Sequence, residues 1–97
     1  MIQQIFAVFD SKAGAYLRPF MFDSQGMAIR AFMDVLKDPK HEFALHPEDY
    51  TLFHIGEFDN KTAVYNCLKT PKSLGLALEY MSQNKTSPAG DAPAGNG

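Results

Sequence analysis

Apolar and polar residues change period along this chain, and the changes mark its elements. From residue 2 to residue 9, β-branched and aromatic residues dominate. Apolar side chains fall on both parities from Ile5 onward, the pattern of a strand covered on more than one side. Residues 10–14 read as a turn, with Gly14 free to take positive φ. Residues 15–22 form a second predicted strand. Pro19 has no N–H for a ladder, which puts this strand at an edge or gives it a bulge near Pro19. The period then lengthens. Ala28, Ile29, Ala31, Phe32, Val35 and Leu36 make one apolar stripe behind a cap at Asp23 or Ser24, predicting a helix to about Lys37. Arg30 and Asp34 fall on its other side, spaced as an i,i+4 pair. Asp38-Pro39 ends it, because a residue before proline is pushed out of the α region.

Residues 39–49 form a connection in which Phe43 and Leu45 anchor a loop or short strand. It closes on His46-Pro47-Glu48-Asp49, a turn in which Pro47 fixes its own φ. The third predicted strand, residues 50–58, places Tyr50, Leu52, His54 and Phe58 on one parity and Thr51, Phe53, Ile55 and Glu57 on the other. Asp59-Asn60-Lys61 turns the chain into a fourth strand over residues 62–68. Thr70 before Pro71 is a helix-start signature. It predicts a last helix to Met81, with Leu74, Ala77, Leu78 and Met81 inward and Gly75 as its weak point. The order ββαββα predicts an α+β domain over residues 1–82, a small antiparallel four-stranded sheet with helices on one face. Residues 83–97, rich in Gly, Pro and Ala, hold almost nothing that can be buried, and a disordered tail is expected there.

Composition narrows the chemistry. Of 97 residues 45% are hydrophobic and eight are Phe, enough for a core without metal or disulfide staples. The single cysteine, Cys67, excludes an intramolecular disulfide and a cysteine-based zinc site and suits a reducing compartment. No leader and no membrane-spanning stretch is expected. His41, Glu42, His46, Glu48, Asp49 and His54 match no metal-ligand spacing, so they read as turn and surface residues. Ser11, Ser24 and Ser73 are explained by turns and caps. Neither Gly-x-Ser-x-Gly nor a phosphate loop nor a dinucleotide fingerprint occurs. The chain is expected to be no enzyme and to use no cofactor.

Charge leaves two binding readings. The net charge is −2, which gives no general attraction to nucleic acid. Yet six acids against Lys40 alone fall between residues 38 and 59, while Lys12, Arg18, Arg30, Lys69 and Lys72 lie elsewhere. Tyr16, Arg18, Phe20 and Phe22 share one parity of the second strand, an aromatic-basic-aromatic pattern that suits single-stranded DNA. Tyr50, Phe58 and Tyr65 would extend that face. Lys69 and Lys72 flank the predicted start of the last helix, where an anion is favoured. This reading expects phosphate contacts from Lys12, Arg18, Arg30, Lys69 and Lys72 and stacking on Tyr16 and Phe20. The rival is a dimeric module that pairs through its uncovered sheet face and docks a protein on the acidic 38–59 region. Cations gathered on one face favour DNA; cations scattered among acids favour the protein partner.

Three segments together carry a resemblance. They are Phe6-Ala7-Val8-Phe9-Asp10-Ser11-Lys12-Ala13, Phe20 leading into an Ala28-Ile29-Arg30 helix, and His46-Pro47-Glu48-Asp49-Tyr50-Thr51-Leu52-Phe53 through Gly56-Glu57-Phe58-Asp59. Over roughly residues 5–60 the chain resembles the small nonstructural protein of the fifth open reading frame of gokushoviruses, single-stranded DNA phages of the Microviridae. The resemblance implies a phage protein of the host bacterial cytoplasm, absent from the mature capsid, that binds DNA or serves single-stranded genome synthesis and packaging. It supplies no catalytic residues. It makes single-stranded DNA the leading expected partner, with a homodimer expected and a viral or host replication or assembly protein as the alternative.

Overall fold

The computed structural model describes residues 1–86, with side chains described to residue 82. In chain order it contains β1 (Ile2–Asp10), β2 (Ala15–Tyr16), β3 (Phe20–Phe22), α1 (Gln25–Leu36), α2 (Glu42–Leu45), a 3-10 turn (Pro47–Asp49), β4 (Tyr50–Asp59), β5 (Val64–Leu76) and α3 (Ala77–Thr86). The sheet is antiparallel, with β1 and β4 at its centre, β5 beside β4, and β2 and β3 sharing the other side of β1. Phe6, Val8, Tyr50 and Leu52 form one buried cluster with Ala28, Phe32 and Leu36 of α1 and Ala77 of α3. The helices therefore lie on one face, and the fold is the expected α+β arrangement.

The predicted second strand is split, and the split changes which way its side chains point. Phe9 lies opposite Tyr16 and Asp10 opposite Ala15, whereas Gln4 lies opposite Phe22 and Phe6 opposite Phe20. The two ladders are offset by one residue, and a one-residue slip moves every following side chain to the other face. The slip sits at residues 17–19. There the Leu17 N–H donates to the Val8 carbonyl at 2.8 Å, and Pro19 has no N–H to give. A second slip lies in β4. Ile5 faces Gly56 and Phe6 faces His54, so Ile55 is an extra residue, a β-bulge. Phe58 consequently joins the face of Phe53, not that of Tyr50 and Leu52 as unbroken alternation predicts.

Residues 70–76 are strand, not helix. Lys72 pairs with His54, Ser73 with Phe53 and Gly75 with Leu52. Residues 68–71 stand against Ile55 alone, a wide bulge in which the missing N–H of Pro71 costs the ladder nothing. The turn into α3 falls at Gly75, whose φ of 134° an L side chain rarely adopts. A Cβ there would lie 2.7 Å from the Tyr80 ring. Tyr80 uses that space to meet Phe32 at 5.8 Å between centroids and to donate its hydroxyl to the Leu74 carbonyl. The Glu79 carboxylate accepts from the Leu76 N–H at 2.8 Å, half of a capping box.

α1 follows its sequence signals. Ser24 caps it, accepting from the Met27 N–H at 3.3 Å, and Ala28, Phe32 and Leu36 are buried. Asp34 pairs with Lys37 at 3.5 Å, not with the expected Arg30. The connection after it is helical, α2 and the 3-10 turn, where a loop or short strand is predicted. At the C-terminal end, α3 carries the backbone to Thr86. The remainder of the expected tail lies outside the described residues.

Candidate nucleic-acid interface

Side chains on the face of the sheet away from the helices come from the parities that the two slips select. β1 contributes Ile5, Ala7 and Phe9, and β4 contributes Thr51 and Phe53 before the bulge and Phe58 after it. β2 and β3 add Tyr16 and Met21, and β5 adds Tyr65, Cys67 and Ser73. Among the described residues no element covers this face, and none of these side chains is charged. Ile5 and Ala7 are buried at its centre, while Tyr16 and Tyr65 are 45% and 60% exposed.

Its rings form two groups. Phe9, Tyr16 and Phe53 meet edge to face, with Phe9–Tyr16 centroids 4.9 Å apart and Tyr16–Phe53 5.5 Å apart. At the other end of β4, Phe58 and Tyr65 are 4.7 Å apart. Four residues of strand separate Phe53 from Phe58, roughly 16 Å over five steps at the usual rise per residue. Gly56 lies between the groups because nothing larger fits. A Cβ there would stand 2.7 Å from the Asn66 carbonyl oxygen and 2.9 Å from Cys67 Cα, both backbone atoms.

The residues expected to bind DNA are not brought together. Tyr16 is on the open face, but Phe20 faces the helices. It stacks near Phe6 at 6.0 Å and, with Phe22, Phe32, Val35 and Phe43, lines an apolar groove of about 260 Å³. Tyr50 is also on the helix side, 4% exposed. Arg18 lies in the β2–β3 connection at one edge of the sheet, and Lys69 and Lys72 lie on β5 at the other. Lys69 and Lys72 do not flank a helix start, since α3 begins at Ala77. Arg30 is on the outer side of α1 beside Asp34 and Lys37. Lys12 belongs to a cavity of about 170 Å³ that Asp10, Glu42, His46, Asp49 and Tyr50 also line. Phe9, Phe53 and Met21, which sequence reasoning did not single out, share the open face with Tyr16.

That acidic cavity has its own electrostatics. The Tyr50 hydroxyl is pushed up to about 12, first by burial, then by the neighbouring Glu42 carboxylate and the negative charges of Asp10 and Asp49. His46, Glu48 and Asp49 bring one ligand atom each within 4.8 Å of one another. The 3-10 turn that begins at Pro47 accounts for that grouping. The acids of residues 38–59 do not make a single surface. Glu42, Glu48 and Asp49 gather at the start of β4, whereas Glu57 and Asp59 lie at its far end, where Asp59 is 3.9 Å from the N-terminal amine.

Half-buried His54 is tied into the sheet. Its Nε2 lies 2.8 Å from Gln4 Oε1 and 3.0 Å from the Gly56 carbonyl, so with these two acceptors it serves as a donor. Its ring also contacts Phe6 at 5.2 Å.

The family model for phage ORF5 protein covers residues 3–80. No curated protein and no solved structure matches the chain.

Proposed function

The chain belongs to the phage ORF5 protein family, and from that premise we propose that it binds single-stranded DNA, without catalysis, during viral genome synthesis or packaging in the host cell. The observation that carries this reading is the open aromatic face of the sheet. Single strands expose the faces of their bases, and a ring beneath each base contributes about 1–3 kcal/mol with little regard to sequence. Tyr16 and Tyr65 stand at the two ends of the face, one in each ring group, and meet different bases of one strand. Arg18 at one edge and Lys69 at the other supply phosphate contacts, so the strand crosses an uncharged centre between charged borders. Phe20, Lys12, Arg30 and Lys72 have no part in this site, Lys72 standing opposite His54 on the parity that faces the helices.

The test is a fluorescence-anisotropy titration of labelled single- and double-stranded oligonucleotides at about 50 and 200 mM salt, where phosphate contacts show themselves. Single-strand binding that weakens with salt is expected. Failure to bind at the lower salt would sink the proposal.

One observation favours a second reading. Lys12 lies among Asp10, Glu42 and Asp49, and the cations as a set do not share a face. A basic segment of a viral or host replication or assembly protein docking on that acidic end would account for it. Capture by such a protein that survives substitution of Tyr16 and Tyr65 would support it.

A further inference from the structure

We infer that, in the absence of DNA, a second copy of this chain covers the open sheet face, so that dimerisation and DNA binding compete for one surface. This rests on the proposed function for the identity of the competitor but not for the pairing itself.

Both edges of the sheet are poor places for two copies to join. On one side the strand is broken by the slip at residues 17–19 and by Pro19. On the other, the wide bulge at residues 68–71 carries Lys69 and Pro71 and interrupts the outer edge of β5. Breaks, bulges, lysine and proline are how natural sheets block edge-to-edge pairing. Association through strand addition is therefore closed off, and the face is left.

The face suits a copy of itself. It is uncharged, so two chains of net charge −2 meet there without burying a charge or opposing like charges. Exposed Tyr16, Met21 and Tyr65 ring a centre in which Ile5 and Ala7 are already dry. Its size is adequate. Four strands at about 4.8 Å spacing and nine residues at about 3.3 Å rise give a patch of about 30 by 20 Å. Two such patches bury about 1,200 Å² before side-chain relief is counted, the lower limit of specific interfaces. Face-to-face packing at about 10 Å is the ordinary geometry of two sheets, and a two-fold axis makes the patch its own complement.

Competition follows because Tyr16 and Tyr65 cannot stack on a base while packed against the partner's sheet. Weakening the pairing must then raise apparent DNA affinity, provided the ring surfaces are kept.

Sedimentation equilibrium of the full chain, from about 1 to 200 μM, tests this together with oligothymidine binding. We expect a monomer–dimer equilibrium. Met21→Arg places a charge on the face without touching either ring group, and should give a monomer at every concentration. Leu78→Arg, at an exposed apolar site on the helix side, should dimerise as the parent does. Circular dichroism confirms that both fold. Added oligothymidine should convert dimer to a complex of one chain per short strand. A monomer throughout the range would overturn the inference and leave the DNA proposal to its own titration. A dimer that Met21→Arg preserves, or that binds DNA without dissociating, would overturn it too. A dimer lost in Met21→Arg but indifferent to oligothymidine would support the pairing and sink the DNA reading.

Discussion

The two faces of this sheet are built from the same kinds of residue and end in different states. On the helix side Phe6 and Leu52 are fully buried, Tyr50 nearly so, and α1 and α3 complete the layer. On the other side Phe9, Tyr16, Phe53, Phe58 and Tyr65 form ring groups that no described element covers. Hydrophobicity alone does not tell the faces apart. What does is the supply of helical stripes: the described residues provide apolar helix surface for one face only, and the rings of the second face stay uncovered.

The sharpest way to break this comparison is to remove an equivalent ring from each face. Phe6→Ala should cost about 3–5 kcal/mol, as large core truncations do, and leave the protein largely unfolded. Tyr65→Ala should stay within about 0.5 kcal/mol of the parent. Urea denaturation reads both, and similar losses would mean that the open face is core. Next in size is Gly56→Ala. Its Cβ would press on backbone atoms of β5, and a loss of about 1–3 kcal/mol is expected by the usual cost of overpacking. A neutral result would show that β4 and β5 are looser at the bulge.

The charged borders sharpen the comparison from the binding side. Alanine at Arg18 and Lys69 together should weaken single-strand binding and reduce the slope of log affinity against log salt by up to about 1.4. Alanine at Lys12 and Arg30 should leave that slope unchanged. The reverse pattern would move the site to the acidic end and the helix surface.

The smallest effect concerns Tyr50. Its folded pKa lies above the ordinary value of about 10, up to about 12. The folded state therefore holds this proton more tightly than the unfolded state. That stability is present below pH about 10 and is lost as pH rises through about 12. Tyr80 is raised by burial and by Glu79, and acts in the same direction. Denaturation midpoints should be flat from neutral pH to about 10 and then fall, and Tyr50→Phe should lessen the fall. An equal fall in Tyr50→Phe would place its cause elsewhere.

Much of this was legible from residues alone. Helix α1, with its Ser24 cap and Asp38-Pro39 stop, and the turn at His46–Asp49 have local causes, and local patterns reveal them. Faces were harder. The bulge at Ile55 and the slip at residues 17–19 each change parity by one, and nothing in an apolar-rich strand announces an extra residue. Pro19 flagged the slip at residues 17–19 but not its consequence, so Tyr16 and Phe20 read as neighbours when they are on opposite sides. The Thr70-Pro71 signal failed for a different reason. A bulge excuses the proline, pairing with β4 outweighs local helix preference, and α3 begins only after the strand ends at Leu76, just past positive-φ Gly75. Its cap comes from Glu79 without a Ser or Thr partner, which leaves half of the expected signature.

The most direct test of the open face as the binding surface is Tyr16→Ser with Tyr65→Ser, titrated against a fluorescent oligothymidine at low salt and compared with the parent for stability. The account predicts a double variant that still folds, its urea midpoint lowered only by the lost ring contacts, and a loss of affinity of at least about tenfold, each ring otherwise contributing about 1–3 kcal/mol. Parent-like affinity in a fully folded double variant would contradict it.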